Sequence, residues 1–122
     1  MRYYTEQHEW VEYSGGNVTI GITAYAANEL GDITFVELPE AGDTFEKGGV
    51  LCVIESVKAA SDVYAPVKGE VDEVNSDLED QPELINESPE EKGWLCKLKN
   101  ADESMLEGLM TAESYKSFIG EG

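Results

Sequence analysis

Residues 50–66 read VLCVIESVKAASDVYAP, two strand-length runs of apolar and small residues that meet at a single lysine. The first run, residues 50–56, is almost continuously apolar, which is typical of a buried strand. The second run ends at Pro66, which cannot continue a central strand. The pattern predicts a tight hairpin with Lys58 at its tip.

On either side of this hairpin, the sequence predicts more strands than helices. A turn at residues 14–16, SGG, indicates a second hairpin. A short helix is expected over Ala24–Leu30, with Thr23 as its N-cap and Gly31 after its last residue. Further strands are expected within residues 31–39, 68–75 and 93–99, one helical turn around Leu78, and helical segments over residues 102–109 and 112–119. Many short strands with glycine-rich turns favour a mainly β fold, either a small β-sandwich or a flattened barrel with peripheral helices.

The last predicted strand, residues 93–99, alternates in character and reads GWLCKLK. Successive side chains of a strand point to opposite faces. We therefore expect Trp94, Cys96 and Leu98 on one face, and Leu95, Lys97 and Lys99 on the other.

The chain has 122 residues, a length that suits one domain with a modest core. Hydrophobic residues make up 41% of it, which favours a globular fold over disorder. We expect a single domain over residues 1–122, with its core in residues 3–99 and a C-terminal helical segment in residues 102–119.

The charge balance restricts the partners that this chain can bind. Eight basic and 26 acidic residues give a net charge of −18, which argues against nucleic acid and against anionic membranes. Such a surface favours partner proteins that carry basic patches. The N-terminal residues show neither a signal-peptide nor a transit-peptide pattern. We therefore expect a cytoplasmic protein of bacterial type, or a processed protein of the mitochondrial matrix.

The cysteines and the single histidine are expected to be structural. Cys52 and Cys96 stand in apolar contexts and are predicted to be buried thiols rather than a disulfide. One histidine and two distant cysteines do not make a zinc-type ligand set, so we expect no metal site. We interpret His8 as a packing or hydrogen-bonding residue, because no paired nucleophile accompanies it.

Two interpretations of Lys58 are open from the residues alone. Most exposed lysines only increase solubility. A rigid turn, however, presents one amine at a repeatable position, as an enzyme that modifies lysine requires. The small residues Ala59 and Ala60 leave room for such an enzyme. A group linked to Lys58 could visit several active sites without release into solvent, at a high effective concentration.

Ordered motifs along nearly the whole chain resemble the H-protein family of the glycine cleavage system, whose members are lipoyl carriers. The resemblance implies the barrel-sandwich hybrid fold of lipoyl domains, with short peripheral and C-terminal helices. The matching segments are residues 4–5 (YT), 8–10 (HEW), 21–23 (GIT), 30–32 (LGD), 35–39 (FVELP), 55–62 (ESVKAASD), 64–66 (YAP), 69–71 (GEV), 82–86 (PELIN) and 93–95 (GWL).

The resemblance also implies a function. Lipoic acid would be joined by an amide to Lys58, and the protein would be a carrier rather than an enzyme. It would take an aminomethyl group from a pyridoxal-phosphate glycine decarboxylase to a tetrahydrofolate-dependent aminomethyltransferase, and electrons to a dihydrolipoamide dehydrogenase. A lipoate ligase or a lipoyl/octanoyl transferase would attach the cofactor.

Two carboxylates are candidates for contacts to the loaded arm. A loaded arm exposed to water can lose its amine by hydrolysis, so a cleft on the carrier would protect it. The amine is cationic, and a carboxylate would hold it. Glu9, in the matching HEW stretch, is the family's candidate for this contact, and Asp62, four residues after Lys58, is a second candidate. Without the resemblance, Glu9 would be interpreted as one surface charge among many.

Three alternatives and one departure from the family pattern accompany this interpretation. A biotin carrier is disfavoured, because biotinylated lysines usually lie between methionines, whereas Val57 and Ala59 flank Lys58. A lipoate relay that serves other enzymes, and an interaction module in which Lys58 is inert, are the other two. The HEW stretch favours glycine cleavage over the relay. Members of the family often carry an aromatic residue where this chain has Glu90, which leaves the contacts of that loop open.

Overall fold

The computed structural model describes residues 2–99 and 103–120. The described chain is mainly β, which confirms the predicted fold class. Its strands are β1 Arg2–Tyr4, β2 Glu9–Ser14, β3 Asn17–Ile22, β4 Ile33–Glu37, β5 Thr44–Phe45, β6 Val50–Ser56, β7 Ala60–Tyr64, β8 Gly69–Val74 and β9 Cys96–Lys99. Its helices are α1 Ala24–Leu30, α2 Asp77–Asp80, α3 Leu84–Glu87 and α4 Ala112–Phe118, with a 3₁₀ turn at Glu103–Leu106. In this part of the chain, every helix is too short or too polar to span a membrane.

The strands form two antiparallel sheets. The large sheet has the order β1-β2-β3-β9-β8-β5, and the small sheet has the order β4-β6-β7. Apolar side chains from both sheets meet in two buried clusters. One cluster centres on the large sheet and includes Val11, Ile20 and Leu98, while the other lies under α1 and includes Ile54 and Leu95.

Both predicted hairpins are present. β2 and β3 pair in register from Glu9↔Ile22 to Ser14↔Asn17, which leaves Gly15 and Gly16 as a two-residue turn. Both glycines have positive φ, 56° and 91°, as the tightest hairpin turns of matching twist require. The second hairpin joins β6 to β7 and carries Lys58.

The predicted helix α1 has the predicted bounds, Ala24–Leu30. The hydroxyl of Thr23 accepts a hydrogen bond from the amide of Ala26, as expected of an N-cap. Gly31 ends the helix with φ 78°, a conformation that favours glycine.

The predicted alternation in residues 93–99 is wrong at its start. β9 begins only at Cys96. Within the strand, Cys96 and Leu98 are both buried on one face, as predicted. Leu95, predicted on the opposite face, is fully buried in the cluster under α1, and its amide donates to the carbonyl of Ile20 before the strand begins. Trp94 is half-buried at the surface, with the Lys97 ammonium 5.0 Å from its ring.

The helical predictions hold in part. The turn around Leu78 is α2, and the predicted segment over residues 112–119 is α4. The segment over 102–109 is a single 3₁₀ turn, Glu103–Leu106, and Asp102 lies outside the described residues. The acidic loop contains a further short helix, α3, which was not predicted, because its backbone pattern depends on burial of Ile85 in the core.

Trp10 determines which residue can stand opposite it in β3. The Trp10 side chain is 1% exposed, its Nε1 donates to the Pro89 carbonyl at 3.0 Å, and the Arg2 guanidinium lies 4.1 Å from its ring. Gly21 pairs with Trp10 across the hairpin, and a Cβ at residue 21 would lie 2.6 Å from the indole. Only glycine, which has no Cβ, leaves room for the Trp10 indole ring at this position.

We expect Gly21→Ala to lower the free energy of unfolding by roughly 1–3 kcal/mol, the usual cost of overpacking a core. Chemical denaturation of wild type, Gly21→Ala, Trp10→Phe and the double variant measures this. The alanine should cost less in the Trp10→Phe background, where the ring is smaller. An equal cost in both backgrounds would contradict a direct clash.

Candidate functional site

Lys58 lies at the tip of the β6–β7 hairpin, as predicted, and the Ser56 side chain organises that tip. The Ser56 hydroxyl accepts hydrogen bonds from the amides of Lys58 and Ala59, each at 3.2 Å. The Ser56 amide donates to the Ala59 carbonyl at 2.8 Å. Neither Val57 nor Lys58 has a positive φ, so the turn is tight without glycine.

The tip is tied to the chain segment beneath it. The Val57 amide donates to the Asp32 carbonyl at 3.0 Å. The Asn86 side chain holds that segment from below, because it donates to the Gly31 carbonyl at 2.8 Å and accepts from the Ile33 amide at 2.9 Å. The hairpin tip is therefore exposed but fixed in position.

The Lys58 side chain lies across Gly31. A Cβ at residue 31 would be 3.3 Å from the Lys58 Cε and 3.8 Å from Nζ. The lysine stem thus passes over the C-terminal end of α1. The side chains nearest to the tip are small or exposed: Ala59, Ala60 and Val57, the last of which is 67% exposed.

A cleft of about 350 Å³ opens beside the end of α1. We call it the α1 cleft. One wall is α1 itself, and the other walls are the start of β2 and the strands of the small sheet. Its lining residues are Gln7, His8, Glu9, Ile22, Tyr25, Ala26, Glu29, Leu30, Ile54, Ser61, Asp62 and Val63. Glu9 and Asp62, the two carboxylates proposed from the sequence, both line this cleft.

Glu9 is not an ordinary surface charge, because its side chain is 2% exposed. One carboxylate oxygen accepts from the Thr5 hydroxyl at 3.1 Å, and the other accepts from the Tyr64 amide at 2.7 Å. Burial raises the pKa of Glu9 to about 7, although both hydrogen bonds act in the opposite direction. Glu9 can therefore gain or lose a proton near neutral pH.

The other carboxylates of the α1 cleft are exposed. Asp62, on β7, pairs with Val53 of β6 and lies at the cleft edge. Glu29, on α1, also lines the cleft, and the sequence analysis did not select it. Its spacing from Tyr25 and Ala26, four and three residues earlier, places all three on one helix face, which is the signal that could have found it. Three carboxylates make the cleft suitable for a cationic group.

A larger cavity, of about 530 Å³, lies on the other side of Glu9. It is lined by residues 4–7 and 64–66, by the turn at Lys47, and by residues 108–110. It includes neither Asp62 nor any residue of α1. We therefore take the α1 cleft, which adjoins the lysine tip, as the candidate site, with Glu9 in the wall between the two cavities.

Comparison with known proteins identifies the family. A sequence model described as "Glycine cleavage H-protein" matches residues 2–122. The chain belongs to the glycine cleavage H-protein family. The resemblance found in the sequence is thereby confirmed.

Relatives in the family are similar over almost their whole length. The "Glycine cleavage system H protein" of Staphylococcus saprophyticus is 56% identical over 118 residues, which cover 97% of this chain and 94% of that protein. The protein of the same name from Staphylococcus carnosus is 55% identical with the same coverage. The crystal structure of a glycine cleavage system H protein from Mycobacterium marinum is 37% identical, with a TM-score of 0.86, over 98% of this chain and 96% of that one.

The departure from the H-protein pattern at Glu90 has a structural role. One carboxylate oxygen of Glu90 accepts from the Ala24 amide, at the start of α1, at 3.0 Å. The other lies 3.5 Å from the Arg2 guanidinium, which also donates to the Glu90 carbonyl at 2.9 Å. Glu90 thus ties the loop to β1 and to the first turn of α1.

His8 and the cysteines are structural, as predicted. The His8 ring lies between Tyr25 and Phe118, with centroid distances of 4.6 and 5.9 Å, and burial lowers its pKa. Cys52 and Cys96 are buried free thiols in different sheets. Burial raises the pKa of Cys96 to about 12 and that of Cys52 well above its usual value, so neither is an activated thiolate.

We expect Glu9→Gln to become more stable than wild type as pH rises from about 4.5 to above 7. Unfolded Glu9 ionises at its ordinary pKa of 4.5, whereas the folded protein keeps the proton up to about pH 7. Folded wild type therefore binds more protons in this window and loses stability as pH rises. The shift corresponds to a difference on the order of 3 kcal/mol at pH 8. Glutamine can keep both contacts without a charge, with its carbonyl oxygen accepting from the Tyr64 amide and its NH2 group donating to the Thr5 hydroxyl.

Urea denaturation at pH 5, 6, 7 and 8 measures this difference. Glu6→Gln, at an exposed position nearby, is the control for the loss of one negative charge. Parallel stability curves for wild type and Glu9→Gln would show that burial does not shift the ionisation of Glu9.

Proposed function

We propose that this chain is a lipoyl-bearing shuttle of the glycine cleavage system. It is a single carrier domain that takes an aminomethyl group from a pyridoxal-phosphate glycine decarboxylase to a tetrahydrofolate-dependent aminomethyltransferase, and electrons to a dihydrolipoamide dehydrogenase. It is a substrate of these enzymes rather than an enzyme. Membership of the H-protein family supports this function. The observation that carries it is the position of Lys58, exposed at a fixed turn beside an acidic cleft.

The lysine tip fits covalent attachment of lipoic acid. The exposed amine of Lys58 can form an amide with the carboxyl group of lipoic acid, with loss of the lysine charge. Val57, Ala59 and Ala60 are exposed and present no bulky or charged obstacle to an attaching enzyme, a lipoate ligase or a lipoyl/octanoyl transferase. When bound, lipoate supplies a cyclic disulfide that accepts the aminomethyl group and is reduced.

The α1 cleft protects the loaded arm in this proposal. The lysine stem lies over Gly31, the residue after Leu30, which lines the cleft. Apolar walls exclude water, while the Glu9 carboxylate accepts the cationic amine and Asp62 adds negative charge at the edge. A cation beside Glu9 favours its ionised form, so the amine lowers the pKa of Glu9 as it binds.

The net charge of the chain and the organisms of its relatives support the proposed partners and cellular location. The net charge of −18 favours partner surfaces that carry basic patches, with association that weakens as salt rises. The relatives named above come from bacteria, so we propose the bacterial cytoplasm as the place where this carrier acts.

We expect Lys58→Arg to prevent lipoylation completely, because arginine retains the charge but offers no acylatable amine. Intact mass after incubation with a lipoate ligase, ATP and lipoate measures this: wild type gains one lipoyl group and the variant gains none. Lys68→Arg, at another exposed lysine, is the control and should be modified like wild type.

Reconstitution tests the function itself. Lipoylated wild type should support exchange of labelled bicarbonate into glycine with the decarboxylase, and full glycine cleavage with all three partner enzymes. Lipoylation without exchange would contradict the proposal and favour a lipoate relay. Full activity of Lys58→Arg would favour an unmodified interaction module.

We expect loaded Glu9→Ala to release ammonia about tenfold faster than loaded wild type, or more, because a hydrogen bond to a charged group is lost. Loading is by glycine and the decarboxylase, and ammonia is followed after the enzyme is removed. Glu6→Ala is the control, since it removes an exposed carboxylate near the start of the same segment. Equal rates for Glu9→Ala and wild type would contradict the proposed contact.

A further inference from the structure

One hydroxyl joins the C-terminal helix to the α1 cleft. Tyr115, on α4, is 5% exposed, and its ring stacks on Tyr4 with centroids 4.8 Å apart and planes 11° apart. The Tyr115 hydroxyl lies 2.8 Å from the His8 Nδ1 and 2.7 Å from the Thr23 hydroxyl. Residues that are 107 and 92 positions apart in the sequence are thus bonded through a single oxygen.

The two partners of this hydroxyl connect it to two walls of the α1 cleft. His8 lines the cleft and immediately precedes Glu9. Thr23 is the N-cap of α1, the helix that forms one wall. The Thr23 amide also donates to the His8 carbonyl at 3.0 Å. His8, Thr23 and Tyr115 are therefore each bonded to the other two, and we call them the His8–Thr23–Tyr115 cluster.

The cluster holds two segments that would not be rigid by themselves, α1 and the residue His8. α1 has seven residues, and an isolated helix of that length is unstable in water. His8 has φ 67°, a conformation that most residues avoid and that persists when surrounding contacts enforce it. The peptide after His8 leads directly into Glu9, so the orientation of the Glu9 carboxylate depends on where His8 is held.

We propose that Tyr115 is a positioning residue for the loaded arm: through His8 and Thr23, the C-terminal helix keeps the α1 cleft in the shape that retains the aminomethyl group. This inference rests on the proposed function. Tyr115 does not line the α1 cleft and acts through His8, Glu9 and the first turn of α1.

The expected effect follows from the balance between docked and free positions of the arm. Hydrolysis of the loaded arm consumes one water and releases ammonia, formaldehyde and the free thiol, with no change of oxidation state. It proceeds from the free position, where water has access. A variant that weakens docking raises the free population, and the release rate rises in proportion.

Tyr115→Phe is the main test, because it removes the hydroxyl and keeps the ring on Tyr4. We expect loaded Tyr115→Phe to release ammonia roughly three- to tenfold faster than loaded wild type, as loss of buried hydrogen bonds implies. The rate of lipoylation at Lys58 should be unchanged, because the hairpin tip is held by the Ser56 hydroxyl and the Asp32 carbonyl. Tyr13→Phe makes the same chemical change in β2, against the other buried cluster, and should release ammonia like wild type.

A double-variant cycle separates positioning from general loosening. His8→Asn retains a residue that tolerates positive φ, but its shorter side chain does not reach Tyr115. If Tyr115 acts through His8, the double variant should release ammonia no faster than the more affected single variant. If the rate increases of the two single variants multiply in the double variant, the two residues act independently and the proposed coupling between His8 and Tyr115 is wrong.

The unlipoylated protein gives a readout that does not depend on loading. His8 is the single histidine of the chain, so its imidazole nitrogens give one set of NMR resonances. Tyr115→Phe should shift the Nδ1 resonance, and Tyr13→Phe should leave it in place. An unshifted Nδ1 resonance would overturn the cluster itself.

The outcomes distinguish the two proposals. If wild type takes up no lipoate, or is not loaded by the decarboxylase, the proposed function fails, and the NMR result still decides the cluster. If wild type is loaded and Tyr115→Phe releases ammonia at the wild-type rate, the function stands and the positioning role of Tyr115 is wrong.

Discussion

The carboxylate of Glu9 is the polar link on which the arrangement of the site depends. Glu9 begins β2 of the large sheet, and it accepts a hydrogen bond from the Tyr64 amide in β7 of the small sheet. The pairing of β6 with β7 shifts register next to Tyr64, between Val50 and Cys52. An acid inside the protein thus accepts from a strand amide that lies next to an irregularity in the pairing. The cost of burying the charge appears as the raised pKa of Glu9.

α1 is short, but contacts at both of its ends fix it as a wall of the α1 cleft. Its first turn is held by Thr23, by the Glu90 carboxylate and, through Thr23, by Tyr115. Its far end is held by Asn86, which bonds to the backbone on both sides of Asp32. The contacts come from two distant parts of the chain, residues 86–90 and α4, so the wall of the cleft depends on long-range contacts of the fold.

Local features were predictable from the sequence, and long-range partners were not. Thr23 and Gly31 set the bounds of α1, and paired glycines set the β2–β3 turn, because each acts on neighbouring residues. The lysine tip was predicted for the same reason. The burial of Glu9 depends on Tyr64, 55 residues away, and no local pattern encodes that partner. Residues 94 and 95 were misassigned because contacts with Asn75 and Ile20 come before the strand begins.

Residue 31 has to satisfy two independent demands. Its φ of 78° ends α1, and a Cβ there would lie 3.3 Å from the Cε of the exposed Lys58 side chain. A substitution there would strain the helix end and crowd the lysine at the same time, and relief of one fault would leave the other. The positive φ therefore disfavours most substitutions at residue 31, and an engineered carrier that transplants the lysine turn keeps its helix end unstrained when it retains this glycine.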